Sequence, residues 1–223
     1  MPDSEQRASL PARRLIAPQQ VGLALALVVT IVAFTVTTPY FFATANGFNI
    51  LRVASYTGIA AAIATLVLVG GGIDLSVAAV MALSGTVSAG LIEAGWPVWA
   101  AILAALGVSF VAGLINAFIV TTVGINPLIA TIATQFIFRG AAYIVISQRE
   151  ILISNHHFLY LGQGDILGVP TPAVLMLACF IGIGFAMKMT AFGQQIYAIG
   201  GTPDGHMAKL AGVPVKRRQY QIY

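Results

Sequence analysis

Val67-Leu68-Val69-Gly70-Gly71-Gly72-Ile73-Asp74-Leu75-Ser76-Val77-Ala78-Ala79-Val80 is an apolar run that stops on three glycines, meets one acid and one serine, and turns apolar again. Consecutive glycines cost helix propensity and free the backbone. Asp74 and Ser76 can offer side-chain oxygens to the orphan N–H groups of a helix restarting at Leu75. The stretch predicts a helix broken inside a membrane, with Gly70, Gly71, Gly72, Asp74 and Ser76 as the parts of the break. An ionised acid is costly in lipid, so Asp74 is expected to face the bundle interior, a cavity or the inner interface. It would either cap the next helix or hydrogen-bond a passing solute, and the glycines could serve as a hinge.

Composition widens this reading to the whole chain. Of 223 residues, 58% are hydrophobic and 8% charged, with mean hydropathy +0.91, against roughly 25% charged residues in a soluble domain. An integral membrane protein follows. The 11 basic and 7 acidic residues sum to +4, but their placement relative to the apolar runs carries more meaning than the total, and no nucleic-acid partner is expected. Cys179 is the single cysteine, which excludes an intrachain disulfide and a multi-cysteine metal site.

A bilayer span takes about 20 apolar residues, range about 17 to 25, and six such runs can be placed. They are residues 21–38, 53–69, 75–92, 98–123, 128–148 and 171–187. The expected fold class is an all-α polytopic transmembrane bundle, organised as an N-terminal arm (1–20), a six-span core (21–187), a polar loop (188–218) and the start of a further span (219–223). Arg7, Arg13, Arg14, Lys188, Lys209, Lys216, Arg217 and Arg218 fall on one side of this alternation, Arg52 and Arg149 on the other. By the positive-inside rule the N-terminus is cytoplasmic, as is the 188–218 loop.

Three further stretches sharpen the picture. Gly71-Gly72-Ile73-Asp74-Leu75-Ser76-Val77 is followed by Ala82-Leu83-Ser84-Gly85. Gly124-Ile125-Asn126-Pro127-Leu128-Ile129-Ala130-Thr131 continues to Phe138-Arg139-Gly140. Phe192-Gly193 leads through Tyr197-Ala198-Ile199-Gly200-Gly201 to Ala208-Lys209-Leu210-Ala211-Gly212-Val213. In this order and spacing, from about Tyr40 to Tyr223, the chain resembles the permease subunits of bacterial ABC importers for monosaccharides, the ribose, xylose and galactose type.

The resemblance implies a permease of about ten helices in the bacterial inner membrane. It implies pairing with a second copy or a close relative, supply by a periplasmic sugar-binding protein, and drive from a cytoplasmic ABC ATPase. Six spans of the ten are present, so the chain reads as truncated at its C-terminus. The resemblance also implies a short helix against the ATPase, placed here at Asp204, His206, Ala208, Lys209, Leu210, Ala211 and Gly212; His206-Met207-Ala208 stands where relatives have Glu-Ala-Ala. Two alternatives remain open at this stage: a secondary sugar transporter or facilitator, which also uses broken helices, and a truncated permease fragment that does not transport.

The remaining polar residues are read more plainly. Arg139, the basic residue inside a span, would line a polar pathway, pair with an acid such as Glu93, or snorkel. Asn116 and Gln135 are expected to hydrogen-bond between helices. His156-His157 and Asp165 lack ligand-helix spacing, so no metal is expected. Neither Gly70-Gly71-Gly72 nor Gly200-Gly201-Thr202 ends in the Gly-Lys-Ser/Thr that cradles phosphate. No cofactor or catalytic residue is expected, and ATP would be bound by a partner.

Overall fold

A computed structural model describes residues 18–147, 149–202 and 205–223. The chain divides into two units, Met1–Asn49 and Ile50–Tyr223. In the first, α1 (Pro18–Thr37) is apolar all round. Its Thr30, Thr35 and Thr37 hydroxyls donate to the carbonyls of Ala26, Ile31 and Ala33 four residues back, at 2.7–2.8 Å, so no hydroxyl is left unpaired against lipid. Past Pro39 the ring of Phe41 stacks on Phe34 and meets Phe42 edge-on. Asn46 donates to the Phe41 carbonyl at 2.8 Å as α2 (Thr44–Val69) begins.

The architecture is an all-α membrane bundle. α1, α2, α4 (Val98–Ala117) with its π-helical continuation Phe118–Val123, α5 (Pro127–Val145) and α7 (Thr171–Met189) are each long and apolar enough to cross a bilayer. The sixth expected span, α3 (Val77–Glu93), has 17 residues and is shorter than the others. It begins at Val77, two residues later than the glycine pattern predicts, because residues 72–76 run without helical structure. At 1.5 Å per residue the helix covers about 26 Å.

Within Ile50–Tyr223, α3 packs chiefly against α4 and α5. Ala79, Ala112 and Phe138, with Val80 and Leu83, form that seam, where small side chains let backbones approach. α3 and α5 run parallel: contacts at sequence separations of 56, 58 and 56 residues join them from one end to the other. α5 opens on Pro127, with the Asn126 side chain accepting from the Leu128 N–H at 3.0 Å.

The segment expected to be a loop after α5 holds structure of its own. Asn155 caps α6 (His156–Gln163), accepting from the N–H groups of His157 and Phe158. A two-residue hairpin pairs Asp165–Ile166 with Val169–Pro170. Its turn places Leu167 and Gly168 at φ 52° and 80°, the left-handed pair a type I′ turn requires. Arg52 holds this end through Asp165 at 3.3 Å, and Tyr56 donates to the Gly162 carbonyl at 2.8 Å.

Residues 188–218, expected as a polar loop with one short helix, are mostly helical. α8 (Ala191–Gly200), α9 (His206–Leu210) and α10 (Val215–Ile222) surround a small core of Ile196, Ile199, Ala208, Val215 and Ile222. Val67 at the end of α2 and Met187 at the end of α7 complete it. Phe192, Ile196 and Ile199 recur at i, i+4 and i+7, the spacing of one helical face, so α8 could have been read from sequence. Arg218 ties α10 to α8, with Nε donating to Gln195 Oε1 and the guanidinium over the Phe192 ring.

Candidate functional site

The break in the bundle is built from backbone groups and four side chains. Gly71 adopts φ 84°, its N–H reaches the Leu68 carbonyl at 3.1 Å, and the Gly72 N–H reaches Val67 at 2.9 Å. This is a Schellman ending of α2, which needs a residue free to turn left-handed at position 71. Two residues on, Asp74 Oδ1 accepts from both the backbone N–H and the hydroxyl of Ser76, each at 2.7 Å. Ser76 is the residue preceding α3, and its own side chain makes no bond to the first turn. Asp74 therefore lies two residues further out than expected and holds the residue before α3 instead of its first turn.

The network then crosses to neighbouring helices. Asn116 Nδ2 on α4 donates to Ser76 Oγ at 2.7 Å, with both residues buried. Thr131 on α5 is fully buried; its hydroxyl accepts from the Leu75 N–H at 3.2 Å, donates to the Pro127 carbonyl at 2.8 Å, and lies 3.3 Å from the Ile73 carbonyl. An unpaired backbone group in the hydrocarbon layer costs several kcal/mol, so this latch lets a non-helical segment persist at depth. Sequence reading missed Thr131 as a functional residue, since nothing local signals a partner 56 residues away. Thr131→Val is expected to cost about 1–3 kcal/mol by stranding the Leu75 N–H, with Thr131→Ser losing much less; thermal unfolding in detergent measures both.

The other sequence-predicted residues are placed as follows. Gln135 is half-buried and Arg139 exposed on α5, where both line a cavity of about 280 Å³ against Ala78, Ala82 and Thr86 of α3. The expected pairing of Arg139 with Glu93 does not form. Arg149 takes Glu93 in a two-point ion pair at 2.7 and 2.8 Å, because α3 and α5 run parallel and Glu93 ends α3 level with the far end of α5. Arg139 lies ten residues below Arg149, too deep to reach it.

In the 188–218 segment, Asp204 lies outside the described residues. His206, Lys209, Leu210, Ala211 and Gly212 are exposed, but Ala208, expected within the same coupling helix, is 2% exposed and sits in the local core. A five-residue helix has room to bury one position, and the smallest side chain takes it. Met207, which the sequence reading left out, stands outward beside Leu210. His156 and His157 occupy the first turn of α6, and the described residues hold no cluster of three metal-ligating side chains.

A bundle of apolar helices around a capped, non-helical break is the architecture of a polytopic membrane protein. The family described as branched-chain amino acid transport system / permease component matches residues 46–223, and the chain belongs to it. The ribose import permease protein RbsC of Bacillus subtilis is 36% identical over 92% of this chain and 64% of its own length. The L-arabinose transport system permease protein AraH of Escherichia coli is 34% identical over 92% and 62% respectively, and the galactofuranose transporter permease protein YtfT of the same organism 30% identical over 96% and 64%. The chain spans less than two thirds of each of these relatives. No solved structure matches it.

Proposed function

We propose that the chain forms the transmembrane pathway subunit of an ATP-driven monosaccharide importer in a bacterial inner membrane, with its N-terminus and α8–α10 in the cytoplasm. A periplasmic sugar-binding protein would deliver the solute, and a second permease copy or close relative would complete the channel. A separate ABC ATPase would dock on α9. The names of the relatives supply the substrate class.

The observation that carries the docking is the two-sidedness of α9. Ala208 anchors it in a core shared with Val67 at the edge of the break, while Met207 and Leu210, 59% and 71% exposed, stand outward with Lys209. An outward apolar pair on a short helix fits a pocket on another subunit, and any push there is passed through a packed core to the break. ATP would then act through the partner's different affinity for two states of the permease.

The test is co-purification of the ATPase with the chain. Met207→Glu combined with Leu210→Glu is expected to weaken retention at least about tenfold, the effect of losing about 1.4 kcal/mol at an interface. Unchanged retention would remove α9 as the docking element. Sugar uptake that persists without any ATPase would contradict the proposed drive.

A further inference from the structure

Arg139 stands alone in the middle of a span. Among the described residues it makes no hydrogen bond or ion pair. Of the described carboxylates, Glu93 is engaged by Arg149, Asp165 by Arg52 and Asp74 by Ser76, and Glu150 lies past the end of α5, eleven residues from Arg139. An ionisable side chain at such depth is costly and marks a pathway or a partner. Its surroundings distinguish the two.

Gln135, Arg139 and Tyr143 follow one another at i, i+4 and i+8 on α5, and so share one face. Across from them Ala78, Ala82 and Thr86 do the same on α3, and the two rows meet at a constant offset of 57 residues. The small side chains of α3 leave the cavity of about 280 Å³ that all six line. That space is open on one side and has room for several waters, and so for a small polar solute of the size of a monosaccharide ring. A guanidinium has five donors in a planar fork and no acceptor. An occupant that presents acceptors in pairs matches this fork, and adjacent hydroxyl oxygens on a sugar ring do so.

We propose that this α3–α5 cavity is a solute-binding station inside the membrane, in which Arg139 donates to neighbouring hydroxyl oxygens of a neutral monosaccharide with Gln135 and Tyr143 beside it. The inference rests on the permease reading for its substrate class. The occupied cavity satisfies the guanidinium, and the alanine wall accepts the apolar face of the ring. Arg139 acts here as a specificity determinant, because the spacing of its donors selects the spacing of the hydroxyls.

Thiol labelling of the full chain in membrane vesicles tests the station without requiring transport. In a Cys179→Ser background, Ala82→Cys places one thiol in the cavity. An anionic methanethiosulfonate is expected to modify it about tenfold faster than a cationic one, the size of a local field effect on encounter. Arg139→Gln should abolish that preference. Ribose or arabinose at high concentration should slow labelling several-fold. Arg139→Lys should retain the charge preference and lose the sugar protection, since the fork is gone.

A thiol that water-soluble reagents never reach would overturn the proposal, as would a charge preference unaffected by Arg139→Gln. So would protection by a sugar acid alone, which assigns the cation to an anionic solute. Protection that survives in Arg139→Lys removes the geometric role. Uptake measured in parallel separates the two levels of inference: a chain that fails to move sugar while its cavity behaves as expected sinks the transport reading and leaves the station standing.

Discussion

Gly200→Ala is expected to lower the thermal midpoint of the chain by several degrees and to abolish sugar uptake, although it adds one methyl group. A Cβ at position 200 would collide with the Val69 carbonyl oxygen and lie 3.2 Å from the Gly71 nitrogen. Both are backbone atoms of the break, so neither can rotate aside. Overpacking of this kind costs about 1–3 kcal/mol, and relief requires α8 to move away from α2. That movement would separate α8–α10 from the break they are proposed to drive. Gly201→Ala is the matched control. Its Cβ would find nothing nearer than 3.3 Å and its backbone is right-handed, so stability and uptake should stay near the parent values. Equal effects at the two positions would mean that the close approach of α8 to the break has no mechanical role.

The second large effect is expected at Asp74. Replacing it with alanine removes the acceptor for the Ser76 N–H and hydroxyl together, in a segment where Ser76 is fully buried. Each stranded donor costs about 1–3 kcal/mol, and Asn116 loses the orientation of its partner hydroxyl. Asp74→Ala should therefore lose on the order of 3 kcal/mol or more. Asp74→Asn keeps an oxygen in the same place and should recover most of that loss. Thermal unfolding of the three proteins in one detergent reads the difference. If Asn proves as damaging as Ala, the carboxylate's charge, and not its geometry, holds the break.

Which of these features could be read from the sequence follows from how local their causes are. The break itself was legible, because three glycines followed by Asp-x-Ser combine a chain terminator with a cap inside ten residues. The start of α5 was legible for the same reason, in Asn126 followed by Pro127. The hydropathy of the long runs marked the membrane class. By contrast, Thr131 looks like any helix threonine until its hydroxyl is found beside the carbonyl of Ile73, 58 residues earlier. Arg139 and Arg149 could not be told apart as partners for Glu93 without knowing that α3 and α5 run parallel. Gly200 carried no sign of its neighbour, since the contact that demands a glycine comes from the end of α2.

The 188–218 segment shows a different kind of omission. Its polar and glycine content suggested a loop, yet the apolar spacing within α8 and the burial of Ala208 build a core of modest size. Short helices bury few positions, so which face turns inward depends on the surface they meet. Here that surface is the end of α2 and α7, a relation invisible in the 188–218 segment alone.

The account as a whole rests on the two ends of α7 lying on opposite sides of a membrane. Nineteen helical residues separate the hairpin before it from α8 after it, about 28 Å at 1.5 Å per residue. Single thiols at Leu167→Cys, fully exposed on the hairpin turn, and at Leu210→Cys on α9, in a Cys179→Ser background, report on the two sides. In intact cells an impermeant maleimide is expected to label position 167 at once and position 210 only after the membrane is opened. Labelling of both positions in intact cells, or of position 210 alone, would contradict it.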